Sequence, residues 1–165
     1  MTDSNQHVIT RRAGRVLLVD LAGRALLLHG NDPARPGMHW WFTPGGGLEP
    51  GESTVEAAAR ELFEEIGLRV SPADLGEPIR HEQAEFSYSG RDYLQTQDFF
   101  LLRVADWQVD TAGMDAEERL TITEHRWWSA AEIEASDELI YPADLAGLLR
   151  SQQVEQAHGV PGTGF

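Results

Sequence analysis

GGLEPGESTVEAAARELFEEIGL, residues Gly46–Leu68, is the stretch on which the reading of this chain turns. Val55, Ala58, Ala59, Leu62 and Ile66 recur at i, i+3, i+4, i+7 and i+11, the spacing of one apolar helix face. Ser53-Thr54-Val55-Glu56 is a capping box that opens the helix, and Gly67 stands where a helix C-terminal glycine belongs. Glu61, Glu64 and Glu65 are spaced i, i+3, i+4, so their carboxylates share a face, which a period of 3.6 residues sets roughly opposite the apolar stripe. Like charges stacked this way repel by roughly 0.2–0.5 kcal/mol per pair in water. A solvated helix face alternates sign, whereas Gly45–Gly67 carries six glutamates and one arginine. A hard divalent cation held by oxygen ligands balances such a cluster, and Mg2+ is the usual ion where phosphate is bound as well.

On either side the pattern changes from period 3.6 to period 2. Arg15–Asp20 and Arg24–His29 read as strands joined through Leu21-Ala22-Gly23, and His39–Thr43 as a short aromatic strand ending at Pro44 and the turn-forming Gly45-Gly46-Gly47. Downstream, Ile79–Tyr88 and Tyr93–Val104 read as a hairpin across Ser89–Asp92, Asp110–Glu118 as a polar loop, and Thr121–Trp128 as a further strand. A second capping box at Ser129–Glu132 opens a short helix, and Pro142 starts a last one ending near Gln153. Strands interleaved with an early and a late helix give an α/β fold, a mixed sheet between helices. The expected layout is a loose N-terminal arm over 1–12, one domain over 13–153 and a flexible tail over 154–165.

With 165 residues the chain is long enough for one domain with a real core. Thirteen basic against 27 acidic residues leave a net charge of −14, which argues against a non-specific grip on extended nucleic acid or anionic lipid. The absence of cysteine removes disulfides, thiolate metal sites and cysteine catalysis. With no apolar run of membrane-spanning length and no apolar leader at the N-terminus, a cytoplasmic location is expected.

Gly46–Leu68 resembles the signature box of the Nudix hydrolases, G-x5-E-x7-R-E-(apolar)-x-E-E-x-G-(apolar). Every fixed position is matched: Gly46, Glu52, Arg60, Glu61, Leu62, Glu64, Glu65, Gly67 and Leu68. The resemblance implies an α/β/α sandwich and hydrolysis of the diphosphate bond in a nucleoside diphosphate linked to another moiety, with Mg2+ or Mn2+ as cofactor. It also implies a small nucleotide-type substrate and, as in many members, a possible homodimer. The candidate metal ligands by resemblance are Glu61, Glu64, Glu65 and the Gly45 carbonyl, the glycines alternatively serving only as a tight turn. Arg60 is expected to organise the carboxylates, with Glu52 as its partner in the loop, through the bidentate geometry arginine favours. Glu124, in Thr123–Trp127, resembles a strand glutamate that leads into the family's metal site, while Glu117 and Glu118 are rivals as extra ligand or general base. The candidate catalytic set is therefore Glu61, Glu64, Glu65, Arg60 and Glu124. No pattern selects a substrate-binding residue among Arg80, Arg91 and Arg126, and Trp40, Trp41, Trp127 and Trp128 read first as packing residues. Ala84 stands where ADP-ribose hydrolases of the family carry proline, and Tyr88 lies slightly beyond the spacing associated with dinucleoside polyphosphate cleavage. The competing function is a non-catalytic nucleotide-binding module of the same fold. Diphosphate isomerisation, as in a related isoprenoid enzyme, would call for a catalytic cysteine that the chain lacks.

Overall fold

The computed structural model describes residues 7–159, with side chains to Gln153. The parts of the expected arm and tail at 1–6 and 160–165 lie outside the described residues. Its framework is one eight-stranded mixed sheet. The strands are β1 (Ile9–Val19), β2 (Ala25–Asn31), β3 (His39–Phe42), β4 (Gly45–Gly47), β5 (Arg80–Tyr88), β6 (Arg91–Arg103), β7 (Ile122–Trp128) and β8 (Ile140–Tyr141). They lie in the order β5-β6-β1-β2-β3-β8, with β4 paired to β1 and β7 to β2. Five helices complete the chain: α1 (Thr54–Ile66), α2 (Pro72–Leu75), α3 (Ala116–Thr121), α4 (Ala130–Ala135) and α5 (Leu145–Gly159).

Alternation along the strands feeds two cores. Val16, Leu18, Leu26 and Leu28 turn to one face and meet Ala58, Leu62 and Ile66 of α1. Leu17, Val19, Ala25 and Leu27 turn to the other and meet Ile133, Leu145 and Leu149 of α4 and α5. Each fully buried Leu or Ile contributes roughly 1.5–3 kcal/mol of transfer free energy, so both faces hold the sheet between helices. The fold is the expected α/β/α sandwich. Trp41 and Trp128 pack edge to face within the second core, their ring centroids 5.1 Å apart.

β1 and β6 run parallel in continuous register from Ile9↔Tyr93 to Val19↔Arg103. The first strand thus begins inside the stretch expected as a loose arm, because the long β6 supplies a ladder for Ile9–Arg12. β1 and β2 meet antiparallel at Val19↔Ala25. Farther back, β4 pairs with β1 at Ala13↔Gly47, Gly14↔Gly46 and Arg15↔Gly45, so the glycine triplet is a strand and not only a turn. α1 rests on this junction. A Cβ on Gly14 would lie 2.0 Å from the Thr54 carbonyl oxygen, so only glycine permits the helix to approach this closely.

Three further differences are local. The hairpin between β5 and β6 turns on two residues, Ser89 and Gly90, both at positive φ, the geometry that matches strand twist. Its tip is pinned across the sheet by Asp32, whose Oδ1 accepts from the Ser89 N–H at 3.0 Å. The polar stretch Asp110–Glu118 is not all loop: Asp115 caps α3, with reciprocal bonds to Glu118. α5 also continues to Gly159, past the expected end near Gln153.

Candidate metal centre and active site

The site is set by how α1 lies against β4. Ser53 and Glu56 form the expected capping box, and Gly67 closes the helix at φ 77°. The acidic and packing faces are less separated than the apolar stripe suggests. Glu65 is only 3% exposed, alongside buried Ala57 and Ala58, whereas Val55 and Ala59 are only partly buried. The reason is β4, which runs along the flank of the helix. The Gly45 N–H donates to Glu65 Oε1 at 2.8 Å, and Gly46 leaves the room that Glu61 fills, a Cβ there lying 2.8 Å from Glu61 Oε1.

Arg60 is the fork of the site. Its Nε and Nη2 donate to the two Glu52 oxygens at 2.8 and 3.0 Å, and Nη2 also reaches the Gly47 carbonyl at 2.9 Å. Nη1 donates to Glu61 Oε1 at 2.9 Å and Glu64 Oε2 at 3.1 Å. One planar group therefore ties the loop before α1, strand β4 and two acids of the helix into one unit. The Glu52 hydrogen bonds, above all, hold Arg60 firmly protonated, and the Arg60 guanidinium in turn draws the Glu52 carboxyl below its usual range.

Opposite Arg60 stands α3. One carboxylate oxygen each of Glu61, Glu64 and Glu118 lie within 4.8 Å of one another. Burial pushes the Glu118 carboxyl up to about 7, with help from Glu61, Asp115 and Glu64, against the Asp115 N–H that stabilises its anion. Burial also raises Glu61, Arg60 opposing and Glu64 assisting. Glu65 is raised well above the ordinary range, by burial first and Glu61 second, despite the Gly45 N–H and Arg15. At about 5 Å and an effective dielectric of 20, two carboxylates repel by about 3 kcal/mol. Oxygen-only donors that repel one another in a half-buried cleft are a donor set suited to a hard divalent cation, which reverses the sign of each of these interactions.

Of the residues singled out in the sequence, Glu61, Glu64, Glu65, Arg60 and Gly45 come together here. The Gly45 carbonyl already accepts from Arg15 Nη1 at 3.0 Å, as does the Thr43 carbonyl at 3.3 Å. Arg15 went unnoticed in the sequence because it reads as one charge at the start of an apolar strand. Glu124 is placed elsewhere: it is opposite His29 in the β2–β7 pairing, its side chain is 62% exposed, and its Oε2 is 3.9 Å from His29 Nδ1. Glu117 is exposed on α3. The position of Glu118 had a signal in sequence, the capping box Asp115–Glu118, of the same kind as that at Ser53.

The family model of the NUDIX domain matches residues 8–146. Over 85 residues the chain is 35% identical to the bis(5'-nucleosyl)-tetraphosphatase (asymmetrical) of Mus musculus, covering 52% of this chain and 53% of that protein. It is 31% identical over 133 residues to an RNA pyrophosphohydrolase of Erythrobacter litoralis, covering 74% of this chain and 78% of that one. The chain spans about half the length of the curated tetraphosphatases it matches, from mouse and rat. Among solved structures, a MutT protein from Methanosarcina mazei shares the fold, with a TM-score of 0.59 at 22% identity, over 91% of this chain and 97% of that one. Among the described residues, no helix is long and apolar enough to cross a membrane.

Proposed function

The chain belongs to the NUDIX family, and on that premise we propose that it is a divalent-metal-dependent pyrophosphohydrolase. Its substrate is a nucleoside diphosphate joined to another moiety, a small nucleotide or nucleotide-linked metabolite. The observation that carries this reading is the convergence of Glu61, Glu64 and Glu118 within 4.8 Å, with Glu65 on the same helix held by the Gly45 N–H.

Glu61, Glu64 and Glu65 are the proposed ligands of Mg2+, with Mn2+ able to substitute. When bound, the ion supplies charge neutralisation for the diphosphate and makes water more acidic. Arg60 is a positioning residue that keeps Glu61 and Glu64 turned toward the cleft. Glu118 is the proposed general base, since a carboxyl near 7 is poised to exchange protons at neutral pH. As the water oxygen bonds to phosphorus, its proton passes to Glu118. The bridging P–O bond breaks, and the electron pair leaves on the departing phosphate. Among Glu117, Glu118 and Glu124, the rivals the sequence offers, this reading takes Glu118.

The test is a panel of nucleoside polyphosphates, dinucleoside polyphosphates and nucleotide sugars with Mg2+ or Mn2+, scored for released phosphate or nucleoside monophosphate. Turnover of at least one substrate, lost by about 10²-fold or more in Glu61→Gln or Glu65→Gln with the fold retained, is expected. Tight binding with no turnover anywhere in the panel would instead favour the non-catalytic module.

A further inference from the structure

In a chain of net charge −14, a half-buried arginine with no carboxylate partner calls for a reason. Arg11 is such a residue. Its side chain lies over the rings of Phe86 and Tyr93, at 5.6 and 5.1 Å from their centroids, and those rings stack on each other at 5.1 Å. Its Nε donates to Gln95 Oε1. Among the described residues it forms no ion pair, and neither Nη1 nor Nη2 makes a hydrogen bond.

A chain of amides fixes this orientation. The Glu82 carboxylate only accepts, so Gln97 presents its Nε2 to it at 2.9 Å. The Gln97 Oε1 is then left to accept from Gln95 Nε2 at 2.6 Å, which leaves Gln95 Oε1 to receive Arg11. Gln95 and Gln97 are buried, so none of the three links is readily exchanged for water. The guanidinium is anchored by its Nε edge and by its flank, and its terminal edge stays uncommitted.

That edge and the acid site flank the same strand from its two faces. A Cβ on Gly47 would come within 3.4 Å of Arg11 Nη1, and one on the neighbouring Gly46 within 2.8 Å of Glu61 Oε1. The bare strand β4 thus stands between the guanidinium and the carboxylates, with no side chain on it to obstruct either. Arg60 is engaged by its acids, and Nη1 of Arg15 by the Thr43 and Gly45 carbonyls. Burial lowers the Arg11 pKa, while Tyr93 and Glu61 oppose the shift.

We propose that Arg11 is the specificity-determining residue for phosphate number. Its Nη1 and Nη2 donate to a phosphate beyond the pair bridged at the carboxylate site, so the preferred substrates carry a polyphosphate chain longer than a diphosphate. This rests on the pyrophosphohydrolase reading, but its test needs no turnover. Binding of α,β-methylene ATP and α,β-methylene ADP is measured by calorimetry with Mg2+, for the wild-type chain, Arg11→Met and Arg11→Lys. Methionine keeps an apolar stem over the rings, and lysine keeps the charge without the fork. Loss of a charge-assisted, forked contact is expected to weaken the triphosphate analogue about 10- to 100-fold in Arg11→Met. The diphosphate analogue is expected to move less than about 3-fold, with Arg11→Lys in between. Equal affinities for the triphosphate analogue in wild type and Arg11→Met, or equal losses for both analogues, would overturn the proposal. Should Arg11→Met fail to fold, Arg11→Lys decides by the same ratio. A wild type that binds the triphosphate analogue preferentially but hydrolyses no substrate would defeat the enzymatic reading and leave this one standing.

Discussion

Raising the pH of the metal-free protein from 5 to 8 is expected to weaken it, against the common trend for carboxylates. Glu61, Glu65 and Glu118 have folded-state pKa values above their unfolded ones, chiefly through burial. A raised carboxyl contributes its stability in full below the unfolded value, near 4.3, and loses it as pH climbs through the folded value. For Glu118 the window ends near 7. Its rise from 4.5 to about 7 is worth at most about 3.4 kcal/mol. The side chain is partly open to solvent, so screening reduces this to about 1–2 kcal/mol. Glu61 and Glu65 add in the same direction. For a chain of this size 1 kcal/mol moves the midpoint by about 2–4 °C, so a fall of about 2–8 °C is expected from Glu118 alone. Carboxylates with lowered values, such as Glu52, lose their proton below this window and do not mask the slope. Mg2+ binds the ionised site, so at 100 times its dissociation constant it returns about 2.7 kcal/mol at pH 8 and much less at pH 5. The assay is thermal unfolding followed by tryptophan fluorescence, with EDTA or Mg2+, at half-unit pH steps. A flat or rising midpoint from pH 5 to 8 in EDTA, or a Mg2+ shift equal at both ends, would refute the reasoning.

Further outcomes follow from the same geometry. Arg60→Met leaves Glu52, Glu61 and Glu64 without their shared donor and is expected to cost about 3–5 kcal/mol, read by urea denaturation. Gly46→Ala places a Cβ 2.8 Å from Glu61 Oε1, so turnover on the best panel substrate is expected to drop about 10²-fold while the melting midpoint moves little. Glu118→Gln is expected to lower kcat about 10²–10⁴-fold and to flatten its acid limb, whereas Glu124→Gln stays within about 3-fold of wild type. Gly14→Ala drives a Cβ to 2.0 Å from the Thr54 carbonyl oxygen and is expected to destabilise by at least about 3 kcal/mol, since α1 has to lift off β1.

Much of the fold was legible because the local signals agreed with one another. The capping box at Ser53, the glycine at 67 and the apolar recurrence to Ile66 all specify α1, and its ends fall there. A hairpin turn within Ser89–Asp92 and the strand through Trp128 were also marked, the turn itself needing only Ser89 and Gly90. The misjudged features depend on tertiary partners. Ile9–Arg12 has no strand signal strong enough alone and is ordered by pairing with Tyr93–Thr96. A glycine triplet has no strand propensity, yet pairing with Ala13–Arg15 makes it one. Glu65 reads as a surface acid by periodicity and is buried because Gly45 meets it from a strand twenty residues away in sequence. The box placed Arg60 among its acids, and Glu118 was one of three rival carboxylates, but only the packing of α3 brings it, and not Glu117 or Glu124, to Glu61 and Glu64.

The distribution of compensating charge explains why the cleft is poised and not simply acidic. Arg60 serves Glu52, Glu61 and Glu64 from one side, at 2.8–3.1 Å. Arg15 acts on Glu65 only through space, its Nη1 being engaged by the Thr43 and Gly45 carbonyls. Glu118 has a backbone N–H and no cation within 4 Å among the described residues. The cleft carboxylates with no cation hydrogen-bonded to them are therefore Glu65 and Glu118. Neutralising either with glutamine is expected to stabilise the metal-free protein at pH 8 while weakening Mg2+ binding. If Glu118→Gln or Glu65→Gln instead lowered the pH 8 melting midpoint in EDTA, the acids would be structural and the cation unnecessary to explain them.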